Sequence, residues 1–416
     1  MDREEFKTRL TSVLSPSQAI TDPALLRGRA KEFRQAREAL EMPGRQVFIC
    51  GLRGVGKSSL ALTTSLALAG VTDRRVVPTI QCWRGATFGE LIRDLCNAFS
   101  TASPLAQEEK TTLKGGVDFK LVNAGGSAEQ TSSMRFKEPS SVNEAAEFIS
   151  WASQRTGKRV AIIDEFDLLS ESTCHEQIGQ LVKAFADGNI DVKLMFCGVG
   201  DSANDLMRGH SSAFRYFHTI NLDRMGMGPR LEIVEGAAQA MGIEIERNSV
   251  VRIAQICDGF PYFAHLVTEK LLWEWFNDAD ANARRSDPRH YDEAIRRASE
   301  EAEPELMDPY DKVVKRYKIT GEHIIWAIAD GAAMDKNVDG AFRDYRDLLD
   351  RVHGEDLTRD QFNNRLIQLR SDTFGNILFS RRRGWYEFTE KRMRGYARLR
   401  AARQGFILRS DNPGSA

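Results

Sequence analysis

The sequence predicts a three-layer αβα domain built on a parallel sheet, then a small helical lid, then a C-terminal module of three helices and a hairpin. Three observations carry this. Between residues 45 and 222 short apolar runs alternate with helical stretches, the pattern of a parallel sheet covered on both faces. A glycine-rich turn joins the first apolar run to its helix. Past Leu222 strands stop until NILF and WYEF, which flank the basic turn SRRRG.

Taken in order, residues 1–24 read as a short amphipathic helix and a Ser/Pro loop. RQVFIC (Arg45 to Cys50) is a strand ended by Gly51, and KSSLALTTSLALAG from Lys57 is a helix. RRVVPTI near Val77, Arg159 to Ile163 and Val192 to Cys197 are further strands. Helices are expected at Thr87 to Phe99, Val142 to Gln154 and Gln177 to Ala186. Residues 101–141, containing LKGGVDFKLVNAGGS, break this rhythm and read as an insertion with a β-hairpin. The core therefore spans 25–222. Arg230 to Met241, Ser249 to Asp258 and GFPYFAHLVTEKLLWEWF form the lid, 223–276, with Trp273, Trp275 and Phe276 in its core. A charged stretch with prolines at 288, 304 and 309 reads as a linker with one helix, 277–317. In 318–409, EHIIWAIADG, FRDYRDLLDRV and TRDQFNNRLIQLRSD precede the hairpin, which is the winged-helix pattern.

With 416 residues, 42% hydrophobic and 28% charged, the chain is an ordinary multi-domain globular protein, neither collagen-like nor disordered. No window reaches the roughly 18 apolar residues of a membrane span. MDREEFKTRL lacks a signal-peptide core, so the expected address is the cytoplasm, with no membrane partner. Six scattered cysteines, none as CxxC, read as buried thiols, and the histidines show no zinc spacing. Net charge is -1, yet Asn363 to Arg409 holds 12 basic and 3 acidic residues. That basic end points to a polyanionic partner.

Gly51-Leu52-Arg53-Gly54-Val55-Gly56-Lys57-Ser58 matches GxxxxGK[ST] between a strand and a helix. Its glycines let backbone N–H groups and the helix N-terminus meet phosphates. Lys57 then reaches the β- and γ-phosphates, Ser58 ligates Mg²⁺, and the following Ser59 lies within the same site. The strand RVAIID ends in Asp164 and Glu165, and is expected beside the first strand. Asp164 there completes the Mg²⁺ shell and Glu165 polarises the attacking water. Asp167 reads more simply as a solvated acid at a strand end.

With these motifs the chain resembles the AAA+ division of P-loop ATPases, in particular its initiator-like and signal-transduction (STAND) branches, over residues 16–275 and the winged helix. Leu25-Leu-Arg27-Gly28-Arg29-Ala-Lys-Glu32 resembles the family's "GRExE" box, which implies that Arg29 lies near the adenine. By the same resemblance Asp201 or Ser202 senses the γ-phosphate, although the two also spell an N-cap. Arg215 takes the place of an arginine finger offered to a neighbouring copy. Gly259-Phe-Pro261 resembles the STAND "GxP" motif, which implies that Pro261 touches the base. The arginine that initiator-type relatives carry in the lid is missing from Asp258 to His265.

The implied function is ATP binding with slow Mg²⁺-dependent hydrolysis, controlling a homo-oligomer on DNA, as in a loader, a transposition regulator or a phage-defence ATPase. Arg365 on the third helix and Arg381, Arg382 and Arg383 in the wing are the candidate DNA contacts. The alternative is a STAND-type switch that exposes a surface to a protein effector encoded nearby, without DNA.

Overall fold

A computed structural model of the chain describes residues 2–101, 136–169, 171–200, 213–278, 284–352 and 354–409. Most of the expected insertion, and both Asp201 and Ser202, lie outside the described residues. The chain divides into two compact units: residues 19–52 with 56–223, and residues 1–18 and 53–55 with 224–416. The first helix, α1 (Arg3–Val13), belongs to the latter.

The first unit contains α2 (Ala30–Glu41), β1 (Gln46–Gly51), α3 (Lys57–Ala69), β2 (Thr79–Gln81), α4 (Phe88–Thr101), α5 (Val142–Thr156), β3 (Val160–Asp164), α6 (Ser172–Asp187), β4 (Lys193–Gly198) and β5 (Phe217–Leu222). The strands form one parallel sheet in the order β2-β3-β4-β1-β5. β1 and β4 are buried almost throughout, as strands covered on both faces must be. Phe48, Phe166, Phe196 and Phe217 interlock on one face, with ring centroids 5.4–6.5 Å apart.

One expectation is corrected here. β3 does not lie beside β1, because β4 is inserted between them. The carboxylates still reach the glycine-rich loop because α3 leaves β1 and crosses over β4 and β3, carrying its N-terminus toward the end of β3.

The second unit adds α7 (Met227–Met241), α8 (Arg247–Cys257), α9 (Pro261–Asn277), α10 (Pro288–Glu300) and α11 (Pro304–Ala329). These are followed by β6 (Asp335–Asn337), α12 (Val338–Leu349), α13 (Arg359–Gln368), β7 (Leu378–Phe379), β8 (Trp385–Phe388) and α14 (Met393–Arg403). The stretch read as a linker holds α10 and the first half of α11, which bury Tyr291, Ile295, Leu306 and Tyr310. α11 breaks at Lys318, whose φ of 52° and ψ of -139° leave helical space. Helices α12 and α13 and the antiparallel sheet β6-β8-β7 follow in winged-helix order. α1 packs on α7 and covers the aromatic end of α9: Phe6 stacks on Phe276 at 4.2 Å and meets Trp273 edge-on at 4.7 Å.

The basic C-terminal end is mostly internal. Arg394 and Arg398 on α14 are buried and converge, with Arg224, on the buried Asp258 between α8 and α9, at 2.7, 3.4 and 3.2 Å. Their remaining N–H groups donate to the carbonyls of Ala329, Gly331, Ala332 and Ala333. Burial alone would raise the Asp258 carboxyl, but the three guanidinium groups hold it below the usual range. Lys391, Arg392, Arg400, Arg403 and Arg409 are also spent on carboxylates within the unit. Of the 12 basic residues, five stand on α13, the turn after it and the wing: Arg365, Arg370, Arg381, Arg382 and Arg383. All six cysteines are free and buried.

Candidate active site

The loop after β1 owes its path to glycine. Gly54 and Gly56 have φ of 82° and 100°, where any side chain is strained, and Gly56 caps α3 directly ahead of Lys57. Buried Val55 anchors the loop. Lys57 Nζ donates to the carbonyls of Gly51 and Leu52, both at 3.0 Å. Burial lowers the Lys57 ammonium pKa, while the negative charges of Asp167 and Asp164 act in the opposite direction. Ser59 Oγ accepts from Ile20 N–H at 3.2 Å and fastens the preceding segment to α3.

At the end of β3, Asp164 Oδ2 accepts from the Ser58 hydroxyl at 2.5 Å, and its Oδ1 accepts from Glu165 N–H at 2.8 Å. The sequence thus brings together, from positions 106 residues apart, one hydroxyl and one carboxylate. Both are hard oxygen donors of the kind Mg²⁺ takes when phosphates and waters complete its shell. Among the described residues no cluster of three or more His, Cys, Asp or Glu could cage a metal by itself. Ser58 and Asp164 therefore fit a phosphate-bound Mg²⁺ and not an all-protein site.

Glu165 follows with φ 54° and ψ 37°, a left-handed conformation that costs a non-glycine residue roughly 1–2 kcal/mol. Strain of this kind persists where surrounding structure enforces it, and sites of chemistry are where it collects. Asp167, which the sequence left as a solvated acid, contributes to that enforcement. Its Oδ1 accepts from Val199 N–H at 3.1 Å and ties the turn after β3 to the exit of β4. The spacing Asp-Glu-x-Asp holds no sign of this bond, since its partner lies 32 residues away.

Arg29 is buried at the start of α2 and donates to the Asp223 carbonyl at 2.6 Å. Arg215 is exposed in the 3-10 turn Ala213–Tyr216 just ahead of β5, its guanidinium 5.0 Å from the Tyr216 ring centroid. Pro261 is the first residue of α9. A Cβ on the preceding Gly259 would lie 2.6 Å from Arg224 Cβ, so only glycine fits there. Arg53 is 3.5 Å from Glu305, and a Cβ on Gly54 would lie 2.5 Å from Arg392 Cδ. Arg365 lies over the Tyr317 ring at 4.0 Å, Arg382 over Trp385 at 3.6 Å, and Arg381 and Arg383 are exposed.

Residues 25–190, which include the glycine-rich loop and both β3 carboxylates, match the AAA ATPase domain family. The chain resembles that family over this stretch. Its fold is similar to that of a Walker-type ATPase of Pyrococcus abyssi, with a TM-score of 0.51 at 17% identity over 92% of this chain and 99% of that one. The Cdc6 protein of Pyrobaculum aerophilum is more loosely similar, at TM-score 0.45 and 13% identity over 96% of this chain and 98% of that one. The Aeropyrum pernix Orc1 protein, solved in complex with DNA, matches at TM-score 0.43 and 14% identity over 91% and 93%. No curated protein matches the chain in sequence. At 17% identity the first of these likenesses speaks for the fold alone, and the chemistry of residues 25–190 rests on the residues themselves.

Proposed function

We propose that the AAA domain binds ATP with Mg²⁺, hydrolyses it slowly, and uses this cycle to control assembly of copies of the chain on DNA. The observation that carries the reading is the Ser58–Asp164 hydrogen bond of 2.5 Å, which brings the loop that would wrap the phosphates to the strand end that bears Glu165. In this reading Lys57 neutralises phosphate charge and Ser58 and Asp164 hold the metal, which supplies further charge stabilisation. Glu165 orients the attacking water. Exposed Arg215 is free to reach a neighbouring copy, where an arginine stabilises transition-state charge. Arg365, Arg370 and the three arginines of the wing supply the electrostatic contact with DNA.

The test is steady-state ATP turnover with and without duplex DNA. Turnover that duplex DNA raises severalfold, with the gain lost when Arg381, Arg382 and Arg383 are all changed to Ala, is expected. Turnover indifferent to DNA would remove the nucleic acid from the reading.

A second reading, a switch acting on a protein partner without DNA, is favoured by one observation. The loop tip Arg53–Val55 is engaged by Arg392 and Glu305, residues of the C-terminal part of its own unit. Arg392 is nearly fully buried, and it also pairs with Glu303 at 2.7 Å. A loop tip held this way changes its contacts when phosphates enter, which is the property a switch requires.

A further inference from the structure

The arginines of the wing do not stand on a plain polar surface. In the sheet β6-β8-β7, Phe379 pairs with Glu387, and Asn337 pairs with Trp385. Residues directly opposite one another share a face, as do Trp385 and Glu387 two positions apart on β8. Phe379, Trp385, Glu387, Asn337 and Asp335 therefore line one side of the sheet, while Leu378, Tyr386, Phe388 and Lys336 line the buried side. Phe379 is 45% exposed at the end of β7, where the chain enters the turn. The guanidinium carbon of Arg382 lies over Trp385, 3.6 Å from the ring centroid. Glu387 is neutralised twice, by Arg381 at 3.1 Å and Lys391 at 2.7 Å.

We propose that this outer face of the wing binds single-stranded nucleic acid. Unpaired bases stack on Phe379 and on the Arg382–Trp385 pair, and Arg381 and Arg383 meet the phosphates. The proposal rests on the nucleic-acid reading above and deepens it. A duplex hides its base faces in its own stack and offers a protein only edges and phosphates. Flat aromatic and guanidinium planes on an exposed strand gain contact only from a base whose face is free. Phe379 and Trp385 are diagonal neighbours across the β7–β8 ladder, about 7–8 Å apart by ordinary sheet geometry, so each offers a separate platform. Charge agrees: three adjacent arginines suit a polyanion, and Asp335, the one unpaired carboxylate of this face, is on the outer strand β6, across β8 from Phe379.

Fluorescence anisotropy of the whole chain tests this with two labelled probes, an oligothymidylate of about 16 nucleotides and a mixed-sequence duplex of the same length. The wild type is expected to bind the single strand at least as tightly as the duplex. Phe379→Ala should weaken the single strand by about tenfold and the duplex by less than about twofold. Phe379→Tyr, which keeps the ring, should bind like wild type, and Phe379→Leu, which keeps only apolar bulk, should behave like Ala. Unchanged single-strand affinity in Phe379→Ala, equal losses on both probes, or rescue by Leu would each overturn the proposal. A wild type that binds duplex alone also overturns it while sparing the parent reading, and one that binds neither probe overturns both.

Discussion

At His265 one ring nitrogen joins stretches 250 residues apart: Nδ1 accepts from Ser15 N–H at 3.2 Å, inside the packed face of α9. Burial pushes this imidazole down to about 4, so the folded chain holds it neutral through the physiological range. Because the folded value lies below the unfolded one, the unfolded chain takes up the proton first as pH falls. The stability is present above the ordinary histidine range and is lost between about pH 6.5 and 4, up to roughly 3 kcal/mol. His265→Asn keeps an acceptor for Ser15 and removes the titration. Thermal unfolding should therefore show wild type ahead of His265→Asn near pH 7.5 and the gap closing toward pH 4.5; a gap that does not narrow would contradict the assignment. Residue-scale features like this one were not legible in the sequence. That Lys57 and Ser58 open the helix after the glycine-rich turn and that Asp164 ends a strand with Glu165 next to it was legible, because their motifs are local. His265 and Asp167 act through backbone groups far along the chain, and no spacing encodes such partners.

Among elements, the strands and helices around the glycine-rich loop were readable from apolar runs and turn glycines. The insertion of β4 between β1 and β3 was not, since order in a parallel sheet is set by helix crossings. α14 was missed for a different reason. Its sequence MRGYARLRAAR belongs to the basic stretch read as facing a polyanion, yet Arg394 and Arg398 are buried against Asp258, more than 130 residues earlier, and five backbone carbonyls. The excess of positive charge was thus a poor measure of a nucleic-acid surface, while the arginines singled out in the wing do face solvent. Removing the Asp258 carboxylate leaves uncompensated charge, which typically costs about 3–5 kcal/mol. Asp258→Ala should accordingly raise amide hydrogen exchange in α8, α9 and α14 and leave β1 and β3 as in wild type. Unchanged exchange in α14 would show that the cluster does not hold these helices together.

For the whole molecule, turnover should depend on association if Arg215 acts between copies. Arg215→Ala should bind ATP normally and turn over slowly, by about 10³-fold for a fully used finger. Mixing it with Lys57→Ala should restore part of the activity, because each copy supplies what the other lacks. No recovery on mixing, or full activity of the pure variant, would end that role. In the proposed function the loop after β1 and the carboxylates ending β3 form one ATP-hydrolysing site. It is tested most directly by measuring ATP binding and turnover for wild type, Lys57→Ala and Glu165→Gln side by side. Binding and turnover are expected in wild type, neither in Lys57→Ala, and binding with turnover lowered at least about a hundredfold in Glu165→Gln. Turnover in Lys57→Ala equal to wild type, or an undiminished rate in Glu165→Gln, would contradict the proposed function.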